Sequence, residues 1–221
     1  LGPVFGGHDP GVCAWAVHAV ALAQTGRARE ASASMQRAIE IAGTLNHPNS
    51  LCHALQNASV VAQLNGEHAA LEEIVQRMLE LAERYNLPPQ RAHAKFMTAW
   101  LRTRRGEIDA ATMAEEVSRP MAMGPLYRYY AALLAETCHS AGLYDHALDT
   151  VDSALASVTE RGVGLAVPEL HRVRALCLDC RRAGDPEARR SMDEAIAIAR
   201  LQGASIFERK AREGLETLAP S

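Results

Sequence analysis

Cys177-x-x-Cys180 has the spacing at which two thiols hold a metal or exchange a disulfide, and no other cysteine pair in the 221-residue sequence has it. It lies in a helix-like stretch with no second pair, whereas zinc takes four ligands in a tetrahedron. Two packing cysteines on a helix account for it without a metal. The nine histidines form no close cluster in sequence. Five glycines nevertheless put some of them in register: Cys13, His53, His93, Tyr129 and His171 each stand thirteen residues before Gly26, Gly66, Gly106, Gly142 or Gly184. Phe96 and Trp100 follow His93 by one and two helical turns, and Gln56, Glu136 and Arg181 follow His53, Tyr129 and His171 at whole-turn steps. The set mixes imidazole, amide, charge and aromatic surface, as a recognition surface would. The competing reading puts Phe96 and Trp100 in the core and leaves the histidines exposed. A metal shared along the column is not expected, because neighbouring helices lie roughly 10 Å apart while a metal holds imidazole nitrogens at about 2 Å. The sequence has no G-x-x-x-x-G-K-S/T phosphate loop, no G-x-S-x-G elbow and no H-E-x-x-H pair. Neither catalytic residues nor a cofactor are expected.

The glycines that set this register also set the elements. They divide the chain into lengths of 40, 40, 36 and 42 residues, and Pro10, Pro48, Pro88, Pro125 and Pro168 each precede one of them by 16 to 18 residues. Proline suits the first turn of a helix, where its missing N–H leaves nothing unpaired, and glycine suits the left-handed turn after the last residue. Each repeat therefore reads proline, helix, glycine turn, second helix. The repeats are expected over about 10–45, 48–85, 88–120, 124–161 and 167–201, with a capping helix over 204–218. In the first, Trp15, Ala19 and Leu22 face Ala31, Met35 and Ala38 across an antiparallel hairpin. The second pairs a helix reaching Leu64 with one built around Leu71, Val75 and Met78. The third carries Phe96, Ala99 and Trp100 before its glycine and Ile108, Ala111 and Met113 after it. Its second helix is short, because Pro120 and Gly124 follow. The fourth carries Leu133 and Ala135, then Leu143, Ala147, Val151 and Leu155. Gly162-Val163-Gly164 leads to the fifth, whose turn is Gly184-Asp185-Pro186 and where Ala188 takes the small-residue place beside Arg189.

The composition agrees with an all-α chain. Forty alanines against three phenylalanines make a core of closely approaching helices, since alanine favours the helix and lets backbones come near. No alternating stretch reads as a strand. A formal charge of −3 gives no basic face for nucleic acid. Arg102, Arg104, Arg105, Arg181 and Arg182 end first helices, where cations favour the helix dipole. No apolar run is long enough to cross a bilayer and no signal peptide is evident. Five cysteines, all inside expected helices, suit a reducing, cytoplasmic compartment. The sequence opens on Leu1 rather than methionine and is expected to be a segment of a longer protein.

Small or aromatic residues eleven and seven places before the turn glycine, with an alanine five after it, resemble the tetratricopeptide repeat. Trp15, Ala19, Gly26, Ala31 and Ala38 carry the pattern in the first repeat. Leu55 with Ser59, Lys95 with Ala99, and Ala131 with Ala135 fill the first slots elsewhere, and Leu71, Ala111 and Ala147 fill the later one. The period exceeds the usual 34 and comes near that of HEAT-type arrays. The resemblance implies a right-handed superhelical solenoid of about five such repeats, with the column of His53, His93, Tyr129 and His171 facing a concave groove. The opening Gly6-Gly7-His8-Asp9-Pro10-Gly11-Val12-Cys13-Ala14, with Glu169-Leu170-His171-Arg172 and the run Ala195 to Arg200, is similar to the C-terminal helical-repeat region of bacterial signalling proteins. Those proteins join a class III adenylate/guanylate cyclase domain to an ATPase module of the STAND type, and their catalytic residues belong to domains outside this sequence. The resemblance implies a non-catalytic interaction or regulatory scaffold that binds a peptide, a partner protein or another domain of its own parent. A homodimerisation element and a small-ligand sensor are the alternatives.

Overall fold

The computed structural model describes residues 7–121, 126–157 and 164–220. These form eleven α-helices, and no strand occurs among the described residues. They are α1 (Pro10–Gln24), α2 (Ala28–Thr44), α3 (Pro48–Asn65), α4 (His68–Arg84), α5 (Pro88–Arg104), α6 (Ala110–Met121), α7 (Tyr127–Ser140), α8 (Tyr144–Ala156), α9 (Val167–Arg181), α10 (Pro186–Gln202) and α11 (Ser205–Thr217). The chain divides into two compact units, Leu1–Leu101 and Arg102–Ser221.

Helix ends lie where glycine and proline punctuate the sequence. Gly66 closes α3 at φ 73°, and Glu67 N–H reaches back to Ala62 O at 2.8 Å. This is the six-to-one bond that satisfies a terminal carbonyl only if the intervening residue turns left-handed. The same bond closes α1, α7 and the Gly106 turn, from Arg27, Leu143 and Glu107 N–H respectively. Second helices of the first unit make the turn with asparagine, α4 with the same bond, from Leu87 N–H to Ala82 O at 2.8 Å. Asn46 (φ 46°) and Asn86 (φ 50°) make the left-handed turns after α2 and α4, asparagine being the side chain that best tolerates that region. At the other ends, Asp9 accepts a hydrogen bond from Val12 N–H at 3.0 Å and Asp185 one from Glu187 N–H at 2.8 Å, the capping that helix N-termini need.

In the first unit α1 packs against α2 and α3, α2 against α3, and α3 against α4. The core joins Val12, Ala16, Ala19, Leu22 and Ala23 of α1 to Ala31, Met35, Ala38 and Ala42 of α2 and to Ala54, Ala58 and Val61 of α3. With alanine at most contacts, the helices approach closely and α3 is buried on most of its circumference. Trp15 does not join this core. It is 41% exposed, with its ring edge-on to His18 at 6.2 Å, and the buried face of α1 lies one residue over, along Val12, Ala16 and Ala19. Leu71, Val75 and Met78 are buried as the spacing predicts, with Ala82 one turn on.

In the second unit α7 packs against α8 and α9, α8 against α9, α9 against α10 and α11, and α10 against α11. First helices thus stack on first helices, as α1 does on α3. Helix α6 is short and keeps Pro120 within its last turn. Gly124, Pro125, Gly162 and Val163 lie outside the described residues. Met113, Ala147 and Val151 are buried, Ile108 and Leu155 half-buried, and Ala111 and Leu143 exposed. Ala188 is buried, in the small-residue place read for it from the sequence, and Arg189 beside it is exposed. The last helix buries Phe207, Ala211 and Gly214 and approaches α10 so closely that a Cβ on Gly214 would stand 2.8 Å from Met192 Cε. Among the described residues no helix is long and apolar enough to cross a membrane.

Candidate functional site

The column read from the sequence divides by burial. His93, Phe96, Trp100 and Tyr129 are all at most 4% exposed. His53, Gln56, Glu136 and His171 are half-buried and Arg181 is exposed. The four buried residues are packing groups: α5 lays His93 against Ser59 of α3 and Trp100 against His68 of α4, and Tyr129 lies on α7, which packs against α6, α8 and α9. The five others keep solvent-accessible surface, His53 and Gln56 in the first unit and Glu136, His171 and Arg181 in the second.

On the first unit, His93 of α5 meets Ser59 of α3, Nε2 to Oγ at 2.6 Å, while Ser59 Oγ also donates to Gln56 O at 2.7 Å. A hydroxyl has one hydrogen, so both contacts are satisfied together when Nε2–H of His93 donates to the serine. Burial drives the His93 imidazole down to about 3 and keeps it neutral. Trp100 lies edge-on to His68 at 5.5 Å. His53 accepts Asn57 Nδ2–H at its backbone carbonyl, at 2.9 Å. Its ring stacks on that of His8, with centroids 3.7 Å apart and planes 7° from parallel. Burial, then the neighbouring His8, lowers the His53 imidazole to about 4. Nitrogen atoms of His8 and His53 and the Cys13 sulfur all lie within 4.8 Å of one another. Two members of the column, Cys13 and His53, are therefore brought together after all. Helices about 10 Å apart at their axes are bridged by side chains that reach half that distance each.

On the second unit the strongest feature is a charged cluster. Arg172 of α9 donates Nε–H to Glu169 Oε2 at 2.9 Å and Nη2–H to Glu169 Oε1 at 2.8 Å, a two-pronged contact, and its Nη2 also reaches Glu136 Oε1 of α7 at 2.5 Å. Lys210 of α11 completes it, 2.7 Å from Glu169 Oε1. The side chains of Glu169 and Arg172 are only 7% and 10% exposed. Burial alone would raise the Glu169 carboxyl, but Arg172 and Lys210 outweigh it and hold it at about 2. Four charges, two of each sign, thus tie α7, α9 and α11 together. Sequence reasoning placed Glu136 in a groove and missed its partner; the legible signal was Glu169-x-x-Arg172, an acid and a base one turn apart.

His171 accepts Ser191 Oγ–H at its backbone carbonyl, at 3.2 Å. Burial lowers its imidazole, against the opposing charge of Glu194. Arg181 pairs with Asp145 at 3.2 Å on the surface. Tyr129 lies beside Tyr130, and burial raises its phenol well above the ordinary value. All five cysteines are free thiols on helices. Burial pushes Cys52 and Cys138 up to about 11 and Cys177 to about 12. Cys177 is buried while Cys180 is exposed, its sulfur 3.7 Å from His139 Nε2.

No protein-family model matches the chain. It is similar to an uncharacterized protein of Rhizobium meliloti (strain 1021), 28% identical over 220 residues. The alignment covers 97% of this chain and 21% of that protein. The chain therefore spans about a fifth of the relative's length.

Proposed function

We propose that the chain is a non-catalytic recognition module of tetratricopeptide-like helix pairs, serving a larger bacterial signalling protein of the cyclase and STAND ATPase kind. It holds a peptide, a partner protein or another domain of its own parent. The observation that carries this reading is the division of labour between helices. Second helices such as α4 bury one side and give the other to Glu72, Glu73, Gln76, Arg77 and Glu80, a solvated face. First helices are packed on several sides, and their remaining surface carries polar groups, His53 and Gln56 on α3, Glu136 on α7 and His171 on α9, of which His53 is held by its stack on His8 and Glu136 by its bond to Arg172. Groups held before binding lose little freedom on binding, which favours affinity. A relative about five times longer, matched over nearly all of this chain, is what a module within a larger protein would give. Binding one conformation of the parent better than another would shift its activity.

The test is binding in trans to peptides tiled along the rest of the parent chain, with one variant set per unit: Gln56→Ala for the first, His171→Ala with Arg181→Ala for the second. Loss of at least tenfold in affinity in one set, with the far-ultraviolet spectrum unchanged, supports the reading. Unchanged affinity in both sets removes the first-helix surface from it. Self-association is the second reading, favoured by Trp15 and Val17, 41% and 55% exposed on α1. Sedimentation over a concentration range decides it, a monomer throughout counting against a homodimer.

A further inference from the structure

The opening segment is fixed rather than trailing. Asp9 N–H donates to Ser50 Oγ at 2.8 Å and Asn49 Nδ2–H to Gly7 O at 2.8 Å, so the backbone on both sides of His8 is bonded to the first turn of α3. Gly7 takes φ 81°, and a Cβ there would stand 3.1 Å from Asn49 Nδ2. Glycine is therefore required both by the turn and by the close approach. The result is that His8 is held over His53, which lies in the second turn of α3, while Cys13 comes from the facing turn of α1.

From this geometry we infer that His8, Cys13 and His53 form a site for a divalent transition ion of the zinc class. Their three ligand atoms already lie within 4.8 Å of one another. In a tetrahedral site of two imidazole nitrogens and one thiolate sulfur, with bonds of about 2.0 and 2.3 Å, the ligand atoms stand roughly 3.5 Å apart. Closure by about an ångström, within the reach of side-chain rotation, completes the set. Each imidazole binds a metal in its own ring plane, so coordination by both turns one ring out of the present stack. Two nitrogens and a thiolate select a borderline ion over calcium or magnesium, which take oxygen ligands. All three side chains are half-buried, which leaves a fourth position for water or a ligand from solution. That pattern belongs to open rather than closed zinc sites.

The proposal shares His53 with the proposed recognition surface, but Gln56, His171 and Arg181, the residues varied to test that surface, are not among the ligands. It is tested by titrating cobalt(II), a spectroscopic stand-in for zinc, into the reduced chain under argon. The expected result is one ion per chain, a thiolate-to-cobalt charge-transfer band in the near ultraviolet, and displacement by zinc but not by magnesium. Cys13→Ser abolishes the band, and His8→Ala, which alters a residue ahead of the first helix, weakens binding at least tenfold while the helical spectrum is kept. Zinc also slows alkylation of Cys13 without protecting Cys180. Absence of the band, or a band that survives in Cys13→Ser, overturns the site; the second outcome would place the metal on other thiols.

Discussion

Replacing Arg172 by methionine leaves a carboxylate stranded inside the second unit. Glu169, 7% exposed, loses a two-pronged partner and Glu136 loses a third bond, while Lys210 remains. Removing one member of a buried ion pair costs about 3–5 kcal/mol, and the retained lysine puts the expected loss near the lower end, about 3 kcal/mol at pH 7. The acidity of Glu169 agrees in direction: Arg172 and Lys210 hold its carboxyl below the ordinary value of 4.5 in spite of burial. In the native chain the folded value lies below the unfolded one, so this stabilisation is complete above about 4.5 and is lost as pH falls toward 2. In Arg172→Met burial dominates, the carboxyl rises, and below neutrality it takes up a proton and ceases to be a stranded charge. The deficit therefore shrinks with acid. Urea unfolding of the native chain, Arg172→Met, Glu169→Gln and the double variant at pH 7 and pH 4 checks this. The double variant is expected to be more stable than Arg172→Met at pH 7. A loss below about 0.5 kcal/mol, or an equal loss at both pH values, refutes the reasoning.

Burial of neutral His93 at about 3 means that below about pH 6.5 the unfolded chain binds a proton that the folded first unit refuses. Stability is expected to fall by about 1.4 kcal/mol per pH unit there, and His93→Gln to flatten the slope in thermal melts between pH 7 and 5. Gly66→Ala puts a Cβ where nothing lies within 4 Å but keeps φ at 73°, so backbone strain alone lowers stability, by about 1 kcal/mol. Gly214→Ala gains about 1 kcal/mol of helix propensity. It also drives a Cβ to 2.8 Å from Met192 Cε, the end of a flexible side chain at a fully buried position, so a repacking cost of about 1 kcal/mol offsets the gain and urea unfolding is expected to show little net change. Alkylation of the native chain, read by mass spectrometry, is expected to modify exposed Cys180 and half-exposed Cys13. Buried Cys52, Cys138 and Cys177 should be spared until the chain unfolds.

The helix ends were legible because glycine and proline act on their own backbone angles, whatever surrounds them. The turns that Asn46 and Asn86 make after second helices were not read, although Asn46-His47-Pro48 and Asn86-Leu87-Pro88 recur 40 residues apart. The facing of α1 was not legible. Apolar residues lie on almost every side of it, from Val12 through Trp15 and Val17 to Leu22, so no polar stripe marks the solvent side and spacing alone put Trp15 inward. His93, Phe96, Trp100 and Tyr129 share a register position with half-exposed groups, yet are buried because the packing around a helix differs from one pair to the next. The charged cluster depends on Glu136 and Lys210, 36 and 38 positions from Arg172, and such distances carry no local signal. His8 reached His53 only through the bonds that fix Gly7 and Asp9 on α3.

Amide hydrogen exchange on the chain with a peptide or domain from its parent bound, compared with the chain alone, tests the recognition account most directly. Added protection is expected on the first helices, over residues 53–57 of α3 or along α7 and α9, and is expected to disappear in the variant that lowers affinity. Protection confined to the second helices α2, α4, α8 and α10, or no change anywhere at saturating ligand, would contradict it.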